Sequence, residues 1–129
     1  MGKEQNKKIT LQELIERKEQ AINAKKNPKR ADLYVKSLDG IITIEEPSAC
    51  VLQDALKMDE KGDQYIVYQC CVEPKLKDSD LLKAYNAAEP LDIVDYVFEP
   101  GEVKAISIKC TELAGYVDGN VKLIKKIKN

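Results

Sequence analysis

The hydrophobic positions of the chain gather into one nearly unbroken run and several shorter periodic segments. The run is Tyr65-Ile66-Val67-Tyr68-Gln69-Cys70-Cys71-Val72, closed by Glu73-Pro74. Gln69 alone interrupts it. So much apolar surface is unfavourable in water, so the rest of the chain must wrap it. Tyr, Ile, Val and Cys suit a strand, but a helix buried on every side shows the same pattern. Asp63 as an N-cap and Pro74 as a stop tip the expectation towards a helix.

Other elements are set by local signals. Thr10-Leu11-Gln12-Glu13 has the form of a capping box. Leu11, Leu14, Ile15 and Ile22 follow at helical spacing, with Lys18 on the same face. This helix is expected to run to about Lys26, ended by Asn27-Pro28, after a disordered polar segment over residues 1–9. Its apolar stripe is narrow, as suits a helix that either lies lightly on the body or waits for a partner. Asp39-Gly40 is a two-residue hairpin turn. The register it sets pairs Leu38 with Ile41, Ser37 with Ile42 and Val35 with Ile44. Leu33, Val35, Ile42 and Ile44 then share one face with Ser37, and Tyr34, Lys36, Thr43 and Glu45 take the other. A lone hairpin is marginal and leaves open edges, so a third strand is expected from the chain or from a partner.

Ser48 is the expected N-cap of a helix burying Val51, Leu52, Ala55, Leu56 and Met58. Asp78 or Ser79 caps another, running through Tyr85 towards Ala88. Four of the five prolines follow glutamate, at Glu46-Pro47, Glu73-Pro74, Glu89-Pro90 and Glu99-Pro100. Proline fits the first turn of a helix, and an acid favours the positive end of the helix dipole. Glu-Pro therefore reads as a repeated helix start. Pro90 opens Leu91–Phe98, and Pro100 opens a longer helix burying Val103, Ile106, Cys110 and Leu113. Gly115 ends that helix, Asp118-Gly119-Asn120 turns the chain, and Val121–Lys128 forms a last short helix with Leu123, Ile124 and Ile127 on one side. The expected fold is α+β and predominantly α-helical, with one N-terminal β-hairpin packed on a bundle of short helices. Residues 10–129 are expected to form a single globular domain.

Charge changes the picture by its distribution. The net charge of the 129 residues is −1, but residues 1–30 carry +5, residues 31–120 carry −10 and residues 121–129 carry +4. An acidic body repels phosphates, which argues against nucleic acid as a partner. No apolar segment approaches the ~20 residues of a membrane helix, and no signal region follows the N-terminus. Gly2 starts a myristoylation pattern that Asn6 breaks.

Candidate chemistry is sparse. Histidine, the commonest general base, is absent. Cys50, Cys70, Cys71 and Cys110 form no C-x-x-C and fall in apolar segments, so all four are expected to be buried and inert. The glycines make no phosphate-binding loop. Asp92, Asp95 and Glu99 form an acidic helical row, which reads as a solvated face before a cation site. No catalytic, metal or cofactor residue is expected, and an enzyme is not the expectation.

A succession of phrases is more telling. Leu33-Tyr34-Val35-Lys36-Ser37-Leu38-Asp39-Gly40 leads into Ile42-Thr43-Ile44 and Pro47-Ser48. Gly62-Asp63-Gln64-Tyr65 leads into Val67-Tyr68, then Cys71-Val72-Glu73-Pro74 and Leu76-Lys77-Asp78. Glu89-Pro90, Asp92-Ile93-Val94-Asp95, Phe98-Glu99-Pro100-Gly101-Glu102 and Leu113-Ala114-Gly115-Tyr116 follow. Together, over about residues 10–120, they resemble the XkdN-like tail assembly chaperones of Gram-positive phages and prophage remnants. The resemblance implies a non-catalytic helper in the host bacterial cytoplasm that binds the tape measure protein during tail morphogenesis, with the tail tube protein as a second candidate partner. The runner-up is a structural phage tail or baseplate component. A helper of this kind needs a groove or an exposed apolar stripe; the open hairpin edge is one candidate, and Leu11, Leu14, Ile15, Leu123, Ile124 and Ile127 are the candidate partner-binding residues.

Overall fold

The computed structural model describes residues 7–127. The chain divides into two compact units, Met1–Pro28 with Val117–Asn129, and Lys29–Tyr116. Part of the segment expected to be disordered, residues 1–6, and Lys128 of the expected last helix lie outside the described residues.

The first unit contains α1 (Leu11–Glu16) and α2 (Lys18–Lys26). The capping box forms as expected. The Thr10 hydroxyl accepts from the Glu13 N–H at 3.2 Å, and the Glu13 carboxylate accepts from the Thr10 N–H at 3.0 Å. Hydrogen bonds from Lys7 and Thr10 hold the Glu13 carboxyl down at about 2. The expected single helix is broken at Arg17 and stops at Asn27 as its sequence predicts. Neither helix has a buried residue. The expected helix at the other end does not form: after the Val117–Asn120 turn, residues 121–127 have no regular structure. An eight-residue helix cannot offset its nucleation cost without burying a stripe, and Val121 is 94% exposed.

The second unit holds the hydrophobic core. Its three-stranded sheet has the order β1 (Arg30–Val35), β2 (Gly40–Glu45), β3 (Cys71–Glu73), antiparallel throughout. The hairpin forms in a different register from the one its turn predicts. Leu33 pairs with Ile42 and Val35 with Gly40, because Lys36–Leu38 makes a 3-10 turn and Asp39 takes the left-handed conformation at φ 47°. Ser37 thus leaves the sheet. Its N–H and hydroxyl donate to the Glu102 carboxylate at 3.0 and 2.7 Å. The offset between the two registers is even, so every side chain keeps its face: Val35, Ile42 and Ile44 are buried as expected.

The third strand comes from the central run, which is a helix and a strand in succession. It begins within α4 (Gly62–Cys70), where Ile66, Val67 and Cys70 are buried. At Cys71 the backbone becomes extended, at φ −76° and ψ 110°, and enters β3. Pro74 cannot continue a helix, and β2 offers the emerging strand a free edge. Asp63 is not the N-cap; it lies in the first turn, where Ser107 and Lys104 donate to its carboxylate at 2.7 and 3.3 Å.

Around α4 lie α3 (Ala49–Leu56), α6 (Asp92–Val97) and α7 (Pro100–Leu113), with α5 (Ser79–Ala84) between β3 and α6 in sequence. Ser48 and Asp78 cap α3 and α5 as expected, the latter accepting from two backbone N–H groups. Leu56, expected in the core, is 83% exposed: Val51, Leu52 and Ala55 define the inner face and Leu56 falls beyond it. Val103, Ile106 and Cys110 are buried on α7. The Glu-Pro device works fully at Glu99-Pro100, where Glu99 and Glu102 form a capping box. At Glu89-Pro90 it opens a turn leading into α6. Pro47 precedes the cap Ser48, and Glu73-Pro74, a cis peptide, enters a turn where a helix start is expected.

Candidate protein-binding surface

The large apolar side chains that folding leaves uncovered mark where the protein can engage another chain. All six candidate residues are exposed: Leu11, Leu14 and Ile15 on α1, and Leu123, Ile124 and Ile127 in the irregular tail, from 57% for Ile15 to 78% for Ile127. Both groups belong to the first compact unit. On α1, Leu11, Leu14 and Ile15 stand at i, i+3 and i+4 and therefore share a face. Ile9, Ile22, Val117 and Val121 are exposed in the same unit and were not among the candidates; an apolar residue in a polar segment was their signal. The background is cationic, with Lys7, Lys8, Arg17, Lys18, Lys25 and Lys26 on one segment and Lys122, Lys125 and Lys126 on the other.

The second unit adds smaller patches. Tyr34 and Ile41 face each other across β1 and β2 on the solvent side, and both are exposed. The Tyr34 hydroxyl donates to Asp39 at 2.8 Å, which pins the ring to the turn and raises the phenol above its usual range. Tyr85 and Tyr96 stack with ring centroids 6.2 Å apart. The alternating hairpin pattern placed Tyr34 on the solvent side; the Tyr85–Tyr96 pair carried no sequence signal, since Tyr85 closes the end of α5 and Tyr96 lies in α6.

Most groups able to do chemistry are buried or hydrogen-bonded within the fold. Cys70, Cys71 and Cys110 are buried, but Cys50 is exposed, contrary to expectation; it lies in the first turn of α3, away from the Val51–Ala55 inner face. Burial pushes the Cys71 thiol up to about 11. A hydrogen bond with Cys70, with burial, pushes Cys110 up as well, so neither supplies a ready thiolate. Ser107 is buried and donates to Asp63, with no imidazole to activate it. In the acidic row, Asp92 accepts from the Glu89 N–H, Asp95 accepts from the Gln64 amide and Glu99 caps α7. Among the described residues no three His, Cys, Asp or Glu side chains are grouped to hold a metal. No helix among them is long and apolar enough to cross a membrane. What this arrangement can do is bind through uncovered apolar side chains.

Comparison with known proteins gives one match. The family model described as phage XkdN-like tail assembly chaperone protein matches residues 52–128, more than half of the chain. The match runs from the middle of α3 to the irregular tail and leaves out the hairpin phrases that contributed to the resemblance. No curated protein and no solved structure matches.

Proposed function

We propose a client-binding role for this chain, which belongs to the phage XkdN-like tail assembly chaperone family: it holds the tape measure protein in the host cytoplasm while the tail is built. The observation that supports this is the concentration of exposed apolar side chains in the first unit. Leu11, Leu14, Ile15, Leu123, Ile124 and Ile127 are uncovered there, on a cationic background. A long client with apolar helical faces would be kept from aggregating by covering those faces in turn, and α1 offers the i, i+3, i+4 anchors used in helix recognition.

The magnitude is sufficient. Burying one large aliphatic side chain is worth ~1.5–3 kcal/mol, and about 1.4 kcal/mol is a tenfold change in affinity. The test is co-expression of the full chain with its phage's tape measure protein, followed by co-purification and measurement of soluble tape measure. The Leu11→Ala, Leu14→Ala, Ile15→Ala triple variant and a chain lacking residues 121–129 should each retain the circular dichroism of the body. Each should lose at least about tenfold of the captured tape measure. Unchanged capture by both would overturn this assignment of the surface, and recovery of the protein in purified phage particles would overturn the role as a helper.

A further inference from the structure

The stacked pair Tyr85 and Tyr96 belongs to the second unit, and neither the core nor the six candidate residues include it. The ring centroids are 6.2 Å apart and the planes lie 15° from parallel. Both residues nevertheless stay exposed, at 45% and 55%. Tyrosine is enriched where proteins meet other proteins, because it offers a large, stiff contact area. Both members of this pair are held in place. The Tyr85 N–H donates to the Leu81 carbonyl at 3.1 Å as α5 ends, and Asn86 then takes the left-handed conformation at φ 53°. Tyr96 is fixed by α6, whose Ile93 and Val94 are fully buried. The pair is therefore a preorganised aromatic platform, and a ligand there has little ordering cost to offset.

The segment that carries the platform is strongly acidic. Residues 78–102 hold seven acidic residues and one basic residue, Lys83. The whole unit, Lys29–Tyr116, has seventeen acidic and ten basic residues, so this one segment supplies six of its seven net negative charges. None of the seven carboxylates is in an ion pair among the described residues. Asp92 lies four positions before Tyr96 on α6, on the face that carries the ring. Its carboxylate accepts from the Glu89 N–H at 3.1 Å, which orients it without neutralising it. Lys83 is two positions from Tyr85, a spacing at which helical side chains do not face each other, and Lys104 of α7 is paired with Asp63. An aromatic platform beside a carboxylate with no counter-cation suits a guanidinium. That group is planar, is more weakly hydrated than an ammonium, stacks on aromatic rings and donates to carboxylates. Phosphates, whether of nucleic acid or of lipid, are repelled by the same field.

We propose that the Tyr85–Tyr96 face docks an arginine-containing segment of a partner protein, a guanidinium lying on the tyrosine rings and donating to the Asp92 carboxylate. The interaction does not rest on tape measure capture by the first unit. The probe is a fluorescent octapeptide of alternating arginine and alanine. The lysine–alanine peptide keeps its charge, and the citrulline–alanine peptide keeps its shape without the charge. In anisotropy titrations on the full chain, the arginine peptide should bind about threefold or more tighter than the lysine peptide. The citrulline peptide should not bind, and added salt should weaken the arginine complex. Asp92→Asn keeps an oxygen for the Glu89 N–H and removes only the charge. That variant and the Tyr85→Ser, Tyr96→Ser double variant should each weaken binding about fivefold or more while keeping the circular dichroism of the wild type. Ring-proton shifts of Tyr85 and Tyr96 in the wild-type chain, which depend on no variant folding, should move on titration. Equal binding of the lysine or citrulline peptide would overturn the proposal, as would unchanged affinity in both variants or shifts confined to other tyrosines. So would a concentration-dependent mass in light scattering that the tyrosine double variant abolishes, since the occupant would then be a second copy of the chain.

Discussion

Substituting Gly62 by alanine sets two effects of known size against each other. Gly62 begins α4 at a helical φ of −60°, so backbone freedom is not what requires glycine there. Helix propensity alone favours alanine by ~1 kcal/mol. A Cβ at this position, however, would stand 2.8 Å from the carbonyl oxygen of Ala55 and 3.5 Å from its carbon. Both are backbone atoms, so no rotamer change relieves the contact, and α3 and α4 must separate by a few tenths of an ångström at their junction. Overpacking of this kind costs ~1–3 kcal/mol. The net expectation is a loss of ~1 kcal/mol, with a fall in Tm of about 4–8 °C for a domain of this size. Gly101 is the internal control: it lies in the first turn of α7, and an added Cβ meets nothing within 4 Å, so Gly101→Ala should leave stability unchanged or raise it by up to ~1 kcal/mol. Urea unfolding of both variants, monitored by helical circular dichroism, measures the difference. If Gly62→Ala is as stable as Gly101→Ala, the close approach of α4 to the Ala55 carbonyl is refuted.

The buried thiols give a second expectation: Cys71→Ala should lose ~1–3 kcal/mol by emptying a site of which 4% is exposed, measured by the same urea titration. In the native chain Cys50 should be the thiol that an alkylating reagent modifies first, read by intact mass, with Cys70, Cys71 and Cys110 protected until unfolding. Glu102 receives hydrogen bonds from Glu99 and Ser37, which lower its carboxyl below the ordinary 4.5. Its contribution is therefore present above that value and is lost as pH falls through the lowered one. Glu102→Gln should accordingly be less stable than the wild type near neutrality, and the gap should close on acidification; a gap constant from pH 7 to pH 2 would contradict the role assigned to the carboxylate.

What the sequence made legible was mostly local. Thr10, Ser48 and Asp78 cap helices where their hydroxyl or carboxylate can reach nearby N–H groups, and that chemistry needs nothing from the rest of the chain. The apolar face of the hairpin was legible for a different reason: period two survives any even error in register. The loop itself was not legible, because Glu102, far away in sequence, captures Ser37 and favours a longer turn over the two-residue one. Nor could the central run be divided, since the partner that draws Cys71 into a strand is the edge of β2. Leu56 and Cys50 were misplaced because a helix of eight residues has few apolar positions from which to fix its buried side. The tail was misjudged from a stripe whose burial the sequence could only assume. For the surface, the six candidate residues were legible as apolar positions among charges, whereas the Tyr85–Tyr96 stack joins residues that only the tertiary fold brings together.

The passage of the chain from α4 into β3 at the Cys70–Cys71 peptide has a dynamic consequence. One covalent segment is the centre of the helical layer and the edge of the sheet, with no loop between to absorb slack. Neither layer can open far without pulling on the other. Amide hydrogens of Ile44 in the sheet and Val67 in the helix should then exchange through the same large opening, with equal free energies and equal response to denaturant. Graded opening would be left to α5, which lies outside that shared segment.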